Sequence, residues 1–571
     1  MKTTQWLLAV ALAAGGCSGI IDNPTNQPPG GNGNGNGPGL GGAGGGVMPP
    51  TNTPDSCVGV TGEVPGRRLL RRLTGSEFEA TVRGAFALTG PGAWVGLLPP
   101  DPAATNGFSN NVERLTIGTE YASAAQDTAK KVADLVAQDA KLGQLLPCAT
   151  KGDEACANTF LDNYASKLYR RPLTAEERAG YIGLYTKVRQ QNDFKTWVYW
   201  ATTAMLQSPN VHYRSELGDV ASGGRYQLTP YEVASALSFT FTGGPPSPEL
   251  MQLAAANKLA TADQLEAAAR TLIFNPDNSI KPEFREIVLR FSEQWLGLTS
   301  LENKIKDKTA FPDFVPAVQT SMAEETRRFI SSIILDDRGK PGDLWTAPYT
   351  FVDSTLAGYY KFGGGTNVNG FLRVNRPPGW GMGLLAQGSL LVVKAGSLST
   401  SPTKRGHLVR TQLLCYPVPP PPDVVPNLPE PTAADTTRQR YEKLHASEPT
   451  CHACHQMMDP IGFGLEHLDA SGRFRDKDNN FPIDDSGTIL ATTAGDLTFT
   501  GADGLAKTVA RLPEASDCLA SFIASYSLGV DDHASTCMVR NAATELRDGK
   551  ITILDYYSRM VRSEHFRTRT P

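Results

Sequence analysis

The sequence predicts a mainly α-helical protein made of several helical domains joined by long loops, with a small cytochrome-c-like haem module. Capping boxes, in which a threonine is followed three residues later by Glu or Gln, precede four amphipathic runs. Their threonines are Thr74, Thr174, Thr229 and Thr261. Apolar residues recur at three- and four-residue spacing over 119–146 and 322–335, as in helices that bury one face. Strand-like alternation is best over 481–500, where we expect a small β element.

Length and composition narrow the class of protein. The chain has 571 residues, enough for roughly three to five domains. With 40% hydrophobic and 20% charged residues, it is not a mainly disordered chain. Lys and Arg number 54 against 58 Asp and Glu, so we expect no nucleic-acid partner. Beyond the N-terminus no apolar run reaches the ~18 residues of a membrane span.

The N-terminus is typical of an exported protein. Lys2 precedes a short apolar stretch, and small residues then lead to Cys17. Residues 1–17 therefore resemble a bacterial lipoprotein signal peptide and lipobox, which implies that Cys17 is lipidated. Ser18 replaces the aspartate that retains such proteins at the inner membrane, so we expect an outer-membrane lipoprotein facing the periplasm or the cell surface. The alternative is ordinary signal cleavage near Ala14, with Cys17 incidental.

A flexible tether is predicted to follow the signal. Residues 18–56 are rich in Gly, Asn and Pro and carry almost no charge, so they cannot bury a core. A coil of this length spans ~30 Å, enough to hold a lipid-anchored domain clear of the bilayer.

Composition shifts divide the remainder into five predicted units, the fourth of which begins where Gly, Ser and Pro become frequent. They are a helical domain over 57–147, a small helical domain over 148–222, a helical domain over 223–370, a c-type haem domain over 371–500 and a C-terminal helical domain over 501–571.

Cysteine counting also agrees with export. Of nine cysteines, six remain after Cys17 and the two of the motif described next. An even remainder in an exported chain predicts disulfides. Local spacing predicts Cys148–Cys156 and Cys518–Cys537, which leaves Cys57 with Cys415. Alternatively, Cys415 is a small buried hydrophobic residue.

One motif carries recognisable chemistry. Residues 451–455 read Cys-His-Ala-Cys-His, the attachment sequence of a c-type haem. Two cysteines one helical turn apart reach the two vinyl groups at one porphyrin edge, and the histidine that follows ligates the iron. The motif therefore predicts one covalent haem c held by Cys451, Cys454 and His455. The alternatives are a zinc site that adds His445 to these three residues and a thioredoxin-like cysteine pair.

The ligand on the far side of the iron is less well defined by the sequence. Met458 falls three residues after His455, on the same helical face, so it is excluded. We expect Pro460 to end this helix. His445 is the predicted distal ligand, because Pro449 permits the chain to reverse between it and His455. Four further candidates are Met538, Met560, His467 and His533. An iron without a protein ligand on this side would indicate catalysis rather than electron transfer.

Acidic residues follow the motif at 459, 466 and 469, and Ser401 and Lys404 match the S-x-x-K pattern of some hydrolases. We interpret the hydrolase match as chance, because it lies in a Pro- and Ser-rich stretch. The three acids are expected to cap turns and to bind Arg473 or Arg475, rather than to act as catalytic acids.

Several stretches resemble large exported proteins of planctomycetes and myxobacteria that are built from domains of unknown function. Residues 71–78 resemble the opening of domain 1587, and Tyr169–Thr174 and Leu228–Ser238 resemble domains 1595 and 1592. Residues 400–406, His445 and 451–473 resemble domain 1588, and 517–529 resemble domain 1585. The resemblance implies a cytochrome module joined to helical domains without an assigned activity.

Two classes of function follow. The first is an envelope cytochrome that transfers electrons to or from an unknown redox partner, or oxidises a substrate. The second is a binding or scaffold lipoprotein whose helical domains hold a polymer or a protein partner.

Overall fold

Helices dominate the computed structural model, with a few small sheets, and this confirms the predicted fold class. The structure describes residues 65–102, 107–222, 224–419, 434–447, 449–530 and 539–570, without the side chains of 220–222, 444–447 and 449–450. Cys17, the tether, Cys57 and Cys537 lie outside these ranges. In the described ranges no helix is long and apolar enough to cross a membrane.

All four predicted capping boxes are present. In each, the threonine hydroxyl accepts the backbone N–H three residues on, and the Glu or Gln at that position accepts the N–H of the threonine. Each box satisfies two N–H groups that the first turn of a helix leaves without a partner. Loss of such a cap costs about 1 kcal/mol, which explains why the pattern marks helix starts reliably.

The N-terminal elements pack around their own hydrophobic cluster. Its members include Phe86, Phe160 and Trp197, all fully buried. The elements are β1 (Gly66–Arg67), β2 (Leu69–Arg72), α1 (Gly75–Phe86), α2 (Thr119–Val136), α3 (Asp139–Leu145), α4 (Glu154–Phe160), α5 (Ser166–Tyr169), α6 (Ala175–Val188), α7 (Phe194–Gln207) and α8 (Pro209–His212).

Most of the elements from residue 213 onward contribute to a second and larger hydrophobic cluster, which includes Trp295 and Trp345 in contact with one another. The strands are β3 (Tyr213–Glu216), β4 (Val220–Ser222), β5 (Arg225–Gln227), β6 (Tyr349–Val352), β7 (Thr366–Val368) and β8 (Phe371–Asn375). The helices are α9 (Pro230–Thr242), α10 (Pro248–Ala255), α11 (Ala262–Ile273), α12 (Pro282–Leu296), α13 (Pro316–Ser331), α14 (Pro341–Thr346), α15 (Ser354–Tyr360) and α16 (Gly388–Val393).

The same cluster continues to the C-terminus. The helices there are α17 (Pro402–Leu408), α18 (Thr437–Ser447), α19 (Pro449–His455), α20 (Asp459–Phe463), α21 (Gly501–Arg511), α22 (Pro513–Leu528), α23 (Arg540–Arg547) and α24 (Ile553–Met560). The strands are β9 (Lys477–Asp478), β10 (Phe481–Pro482), β11 (Ser486–Thr492), β12 (Gly495–Thr500) and β13 (Thr568–Thr570). The antiparallel pair β11 and β12 confirms the β element predicted over 481–500.

Two small sheets connect distant parts of the chain. β13, at the C-terminus, lies between β1 and β5 in a four-stranded sheet of order β1-β13-β5-β4. β2 pairs antiparallel with β3, which places Arg71 opposite Arg214 and Leu69 opposite Glu216. Together these sheets bring the two ends of the described chain to the same region.

The disulfides confirm one prediction and correct another. Cys148 and Cys156 are bonded, as their local spacing predicts. Cys518 is bonded to Cys415, however, and not to Cys537. The predicted Cys57–Cys415 pair is wrong for the same reason. α22 packs against the turn of π-helix just before Cys415 and brings the two Cα atoms to 5.4 Å, although they are 103 residues apart.

Candidate functional site

The Cys-x-x-Cys-His motif lies on α19 and ends it. Cys451 and Cys454 are both partly buried, and neither is in a disulfide. Residues three apart on a helix share a face, so the two thiols lie on the same side of α19. His455 is the last residue of the helix. The prediction that Pro460 ends this helix is wrong, because Pro460 lies in the first turn of α20.

The Nδ1 nitrogen of His455 lies beside a carboxylate and a hydroxyl. Its Nδ1 lies 3.1 Å from Asp459 Oδ2 and 3.3 Å from Thr403 Oγ1. The Thr403 hydroxyl also donates to Asp459 Oδ1, at 2.6 Å. Because a carboxylate only accepts hydrogen bonds, the neutral form of this imidazole that fits the contact has its proton on Nδ1 and its lone pair on Nε2. Histidines that ligate metals commonly have this arrangement, with the ring oriented by an outer carboxylate.

Two glycines bring Thr403 and Asp459 together. α17, which contains Thr403, packs directly on α20, which begins with Asp459. A Cβ atom on Gly406 would lie 1.8 Å from the carbonyl oxygen of Met458, and one on Gly462 would lie 2.0 Å from that of Pro402. Any side chain at either position would push the two helices apart, so the contact with His455 depends on both glycines.

A buried arginine locks the loop that follows α20. Arg405 is fully buried and donates to the carbonyl oxygens of Leu465, at 2.8 Å, and Leu468, at 2.7 Å. Glu466 accepts from Thr400 and from Arg475, both at 2.7 Å. Residues 400–406 therefore hold this loop in place. Ser401 of the S-x-x-K match has a structural role, because its side chain caps α17.

The three acids after the motif have different roles. Glu466 binds Arg475, and Asp469 accepts the backbone N–H groups of Ser471 and Arg473, as predicted. Asp459 contacts His455 and Thr403. Sequence reasoning missed this role, although the four-residue spacing between His455 and Asp459 is a signal for such a contact.

Two of the distal-ligand candidates, His467 and Met560, make contacts elsewhere in the structure. Nδ1 of His467 lies 2.8 Å from the carbonyl oxygen of Arg475, and its ring stacks on Phe474. Met560 is fully buried in α24, which packs on α11, α22 and α23. His445 lies near the end of α18, the helix before the motif. Its side chain, and both His533 and Met538, are outside the described residues, so the distal ligand stays a prediction.

No complete set of metal ligands is found in the described ranges. No three His, Cys, Asp or Glu side chains there are grouped to hold a metal ion. The zinc alternative from the sequence includes His445, whose side chain is outside the described residues, so it stays an alternative.

Four protein-family models match the chain, and each describes a protein of unknown function. They are DUF1587 (PSD3) over 71–138, DUF1595 (PSD5) over 156–216, DUF1592 (PSD4) over 228–362 and DUF1588 (PSCyt3) over 381–478. The last segment contains the Cys-x-x-Cys-His motif. No curated protein and no solved structure matches the chain. The resemblance of 517–529 to domain 1585 stays a prediction. The chain therefore has the predicted multi-domain architecture, in which DUF1587, DUF1595, DUF1592 and DUF1588 follow one another in this order.

Proposed function

We propose that this protein is an exported, lipid-anchored c-type haem protein that transfers electrons, or oxidises a substrate, at the cell envelope. One observation carries the proposal: two unbonded thiols on one helical face adjoin a histidine whose Nδ1 is held by a carboxylate. The name PSCyt3 of the matching family model is consistent with a cytochrome-like segment.

The side chains fit a covalent haem. Thioether bonds need two free thiols one turn apart on one face of a helix, and Cys451 and Cys454 meet this requirement. Ligation through Nε2 needs the proton to be on Nδ1, and Asp459 is placed to accept a hydrogen bond from the Nδ1–H group. Haem bound in this way would supply one-electron exchange between ferric and ferrous iron.

Asp459 has a defined task in this proposal. A carboxylate that accepts the Nδ1–H bond orients the ring and makes the imidazole a stronger electron donor. A stronger donor stabilises the ferric state relative to the ferrous state. Thr403 keeps the carboxylate in place by donating to its other oxygen. We therefore expect a lower reduction potential than the same ligands would have without Asp459.

The proposal is tested by the spectrum of the protein purified from a host with c-type haem maturation machinery. We expect a reducible haem spectrum that remains with the chain after denaturation. A chain that is folded but carries no covalent haem would contradict the proposal and would favour the binding or scaffold function.

The Asp459→Asn variant is expected to bind haem covalently but to have a raised reduction potential. The amide still accepts the Nδ1–H bond but has no negative charge, so the imidazole donates less electron density. Redox titration of the purified protein measures the change. Asp476→Asn, at an exposed position of the same segment, is the control. An unchanged potential in the Asp459 variant would contradict the role of this carboxylate.

His445→Ala is expected to open a coordination site. If His445 is the distal ligand, its loss makes the ferric iron high-spin, and added imidazole or cyanide then binds quickly. Electron paramagnetic resonance and ligand-binding kinetics check this. A sulfur-to-iron band in the near-infrared spectrum of the native protein would show a methionine ligand and exclude His445. A native iron that is already high-spin would also exclude it and would favour catalysis.

The Cys17→Ser variant is expected to move from the membrane fraction to the soluble periplasm. A serine cannot take the thioether-linked lipid on which the proposed anchor depends, and a single apolar signal segment this short does not anchor the mature chain. Fractionation followed by immunoblotting measures the distribution. Continued membrane association of this variant would contradict lipidation at Cys17.

A further inference from the structure

A small cavity far along the chain from the haem motif is lined by arginines. It has a volume of about 50 Å³. Its walls include Arg71 and Arg72 of β2, Arg214 of β3 and Arg290 of α12, together with the C-terminal end of α22. These residues come from the segments matched by DUF1587, DUF1595 and DUF1592 and from the stretch that resembles domain 1585. All four segments therefore contribute to one cavity.

The arginines on the strand side are held by one buried carboxylate. Glu216 is 1% exposed. Its Oε1 lies 2.7 Å from Arg71 Nε and 3.0 Å from Arg214 Nη2, and its Oε2 accepts from Arg569 Nη2 at 2.5 Å. One negative charge thus faces three buried guanidinium groups.

The end of α22 closes the cavity on the other side. Arg71 also donates to the carbonyl oxygen of Leu528, and Asn110 donates from Nδ2 to that of Tyr526, at 2.7 Å. A Cβ atom on Gly529, which has a φ of +61°, would lie 2.7 Å from Arg71 Nη1. Only a glycine permits this close approach, so the position of Arg71 in the cavity wall depends on Gly529.

Positive charge exceeds negative charge around the cavity in the described part of the chain. The arginines that line it or adjoin its lining are Arg71, Arg72, Arg170, Arg214, Arg290 and Arg569. The acids that line it or adjoin its lining are Glu77, Asp101, Glu216 and Glu293. Burial, with a contribution from Arg214 and Arg569, lowers the pKa of Arg71 to about 10 even though Glu216 opposes the change.

Several donors at this cavity lack an acceptor. Arg72 donates from Nη2 to Asp101 and lies over the ring of Tyr121, 4.4 Å from its centre, but its Nε and Nη1 have no acceptor with hydrogen-bond geometry among the described residues. The same holds for Nε of Arg214 and for the hydroxyl of Ser527. Burying such donors without acceptors is costly, and the cost is largest for charged groups.

We infer that this cavity binds a small oxyanion, namely the carboxylate or phosphate group of a small ligand. An oxyanion supplies both the missing negative charge and the missing acceptors, and arginine is suited to both groups. About 50 Å³ holds a few water molecules, which matches a single oxyanion group and excludes burial of a whole nucleotide. The inference is independent of the proposed haem function, since it uses other residues.

Isothermal titration calorimetry of the full chain tests this site with two probes at matched ionic strength. Inorganic phosphate and succinate distinguish the two oxyanion classes. We expect saturable binding of one of them, and a rise in melting temperature with the same anion. Arg290→Gln is the test variant, because Arg290 is only partly buried and its hydrogen bond to Ser76 is long, at 3.3 Å.

The expected effect of Arg290→Gln is a loss of affinity of ~10-fold or more, as for removal of one charge-assisted hydrogen bond. Arg285→Gln is the matched control, because it is on the same helix but pairs with Asp336 away from the cavity. We expect its affinity to be unchanged. Absence of saturable binding for both anions, or equal losses in the two variants, would overturn the inference.

Discussion

Replacement of both Cys451 and Cys454 by alanine is expected to abolish covalent haem attachment. In the proposed haem site the two thiols are the groups that would form the thioether bonds, and a histidine alone would hold haem only by a reversible bond that denaturation breaks. Haem staining of a denaturing gel, and the intact mass of the chain, measure attachment. We expect the stain and the added mass of the porphyrin to disappear together.

The chain offers a matched control for this variant. Cys415 and Cys518 also form a pair of cysteines, but they are joined in a disulfide. Their double replacement by alanine is expected to leave haem staining in place. Staining that survives loss of Cys451 and Cys454 would refute thioether attachment at this motif. Staining lost equally in both double variants would show that the effect is indirect.

The Glu216→Gln variant is expected to lose ~3–5 kcal/mol of unfolding free energy, as when one partner of a buried ion pair is removed. Arg71, Arg214 and Arg569 would stay buried without a counter-charge, which is more costly than loss of an exposed pair. Chemical denaturation of the purified chain measures the difference.

A control for this variant is Glu286→Gln. Glu286 pairs with Arg327 at 3.0 Å but is largely exposed, so its loss is expected to cost at most ~1 kcal/mol. Equal effects of the two substitutions would contradict the special role of the buried carboxylate.

The same carboxylate makes stability depend on pH. Burial by itself raises the pKa of Glu216, but the attraction of Arg71, Arg569 and Arg214 outweighs burial and holds the pKa well below its ordinary value of 4.5. A lowered pKa contributes stability above the unfolded pKa. That contribution is lost as the pH falls below about 4.5. We therefore expect the unfolding free energy of Glu216→Gln to fall less steeply at acid pH than that of the native chain. Chemical denaturation at a series of pH values measures this.

Local features of this protein could be predicted from its sequence. The capping boxes, the β11–β12 hairpin and the Cys148–Cys156 disulfide each join residues that are close along the chain. The geometry of such contacts follows from helix or turn spacing and needs no knowledge of packing. The spacing of Cys451 and Cys454 belongs to the same group, because it places them one turn apart on a single helix.

Only the tertiary structure decided the contacts between distant residues. Cys518 has Cys415 as its partner because α22 packs against the turn before Cys415, and spacing along the chain favoured a different pair. Thr403 reaches Asp459 across 56 residues, and only because Gly406 and Gly462 let two helices touch. Glu216 meets Arg569 across 353 residues, through a sheet that joins the two ends. Contacts of this kind are selected by which surfaces pack together, and many alternative pairings have the same local propensities.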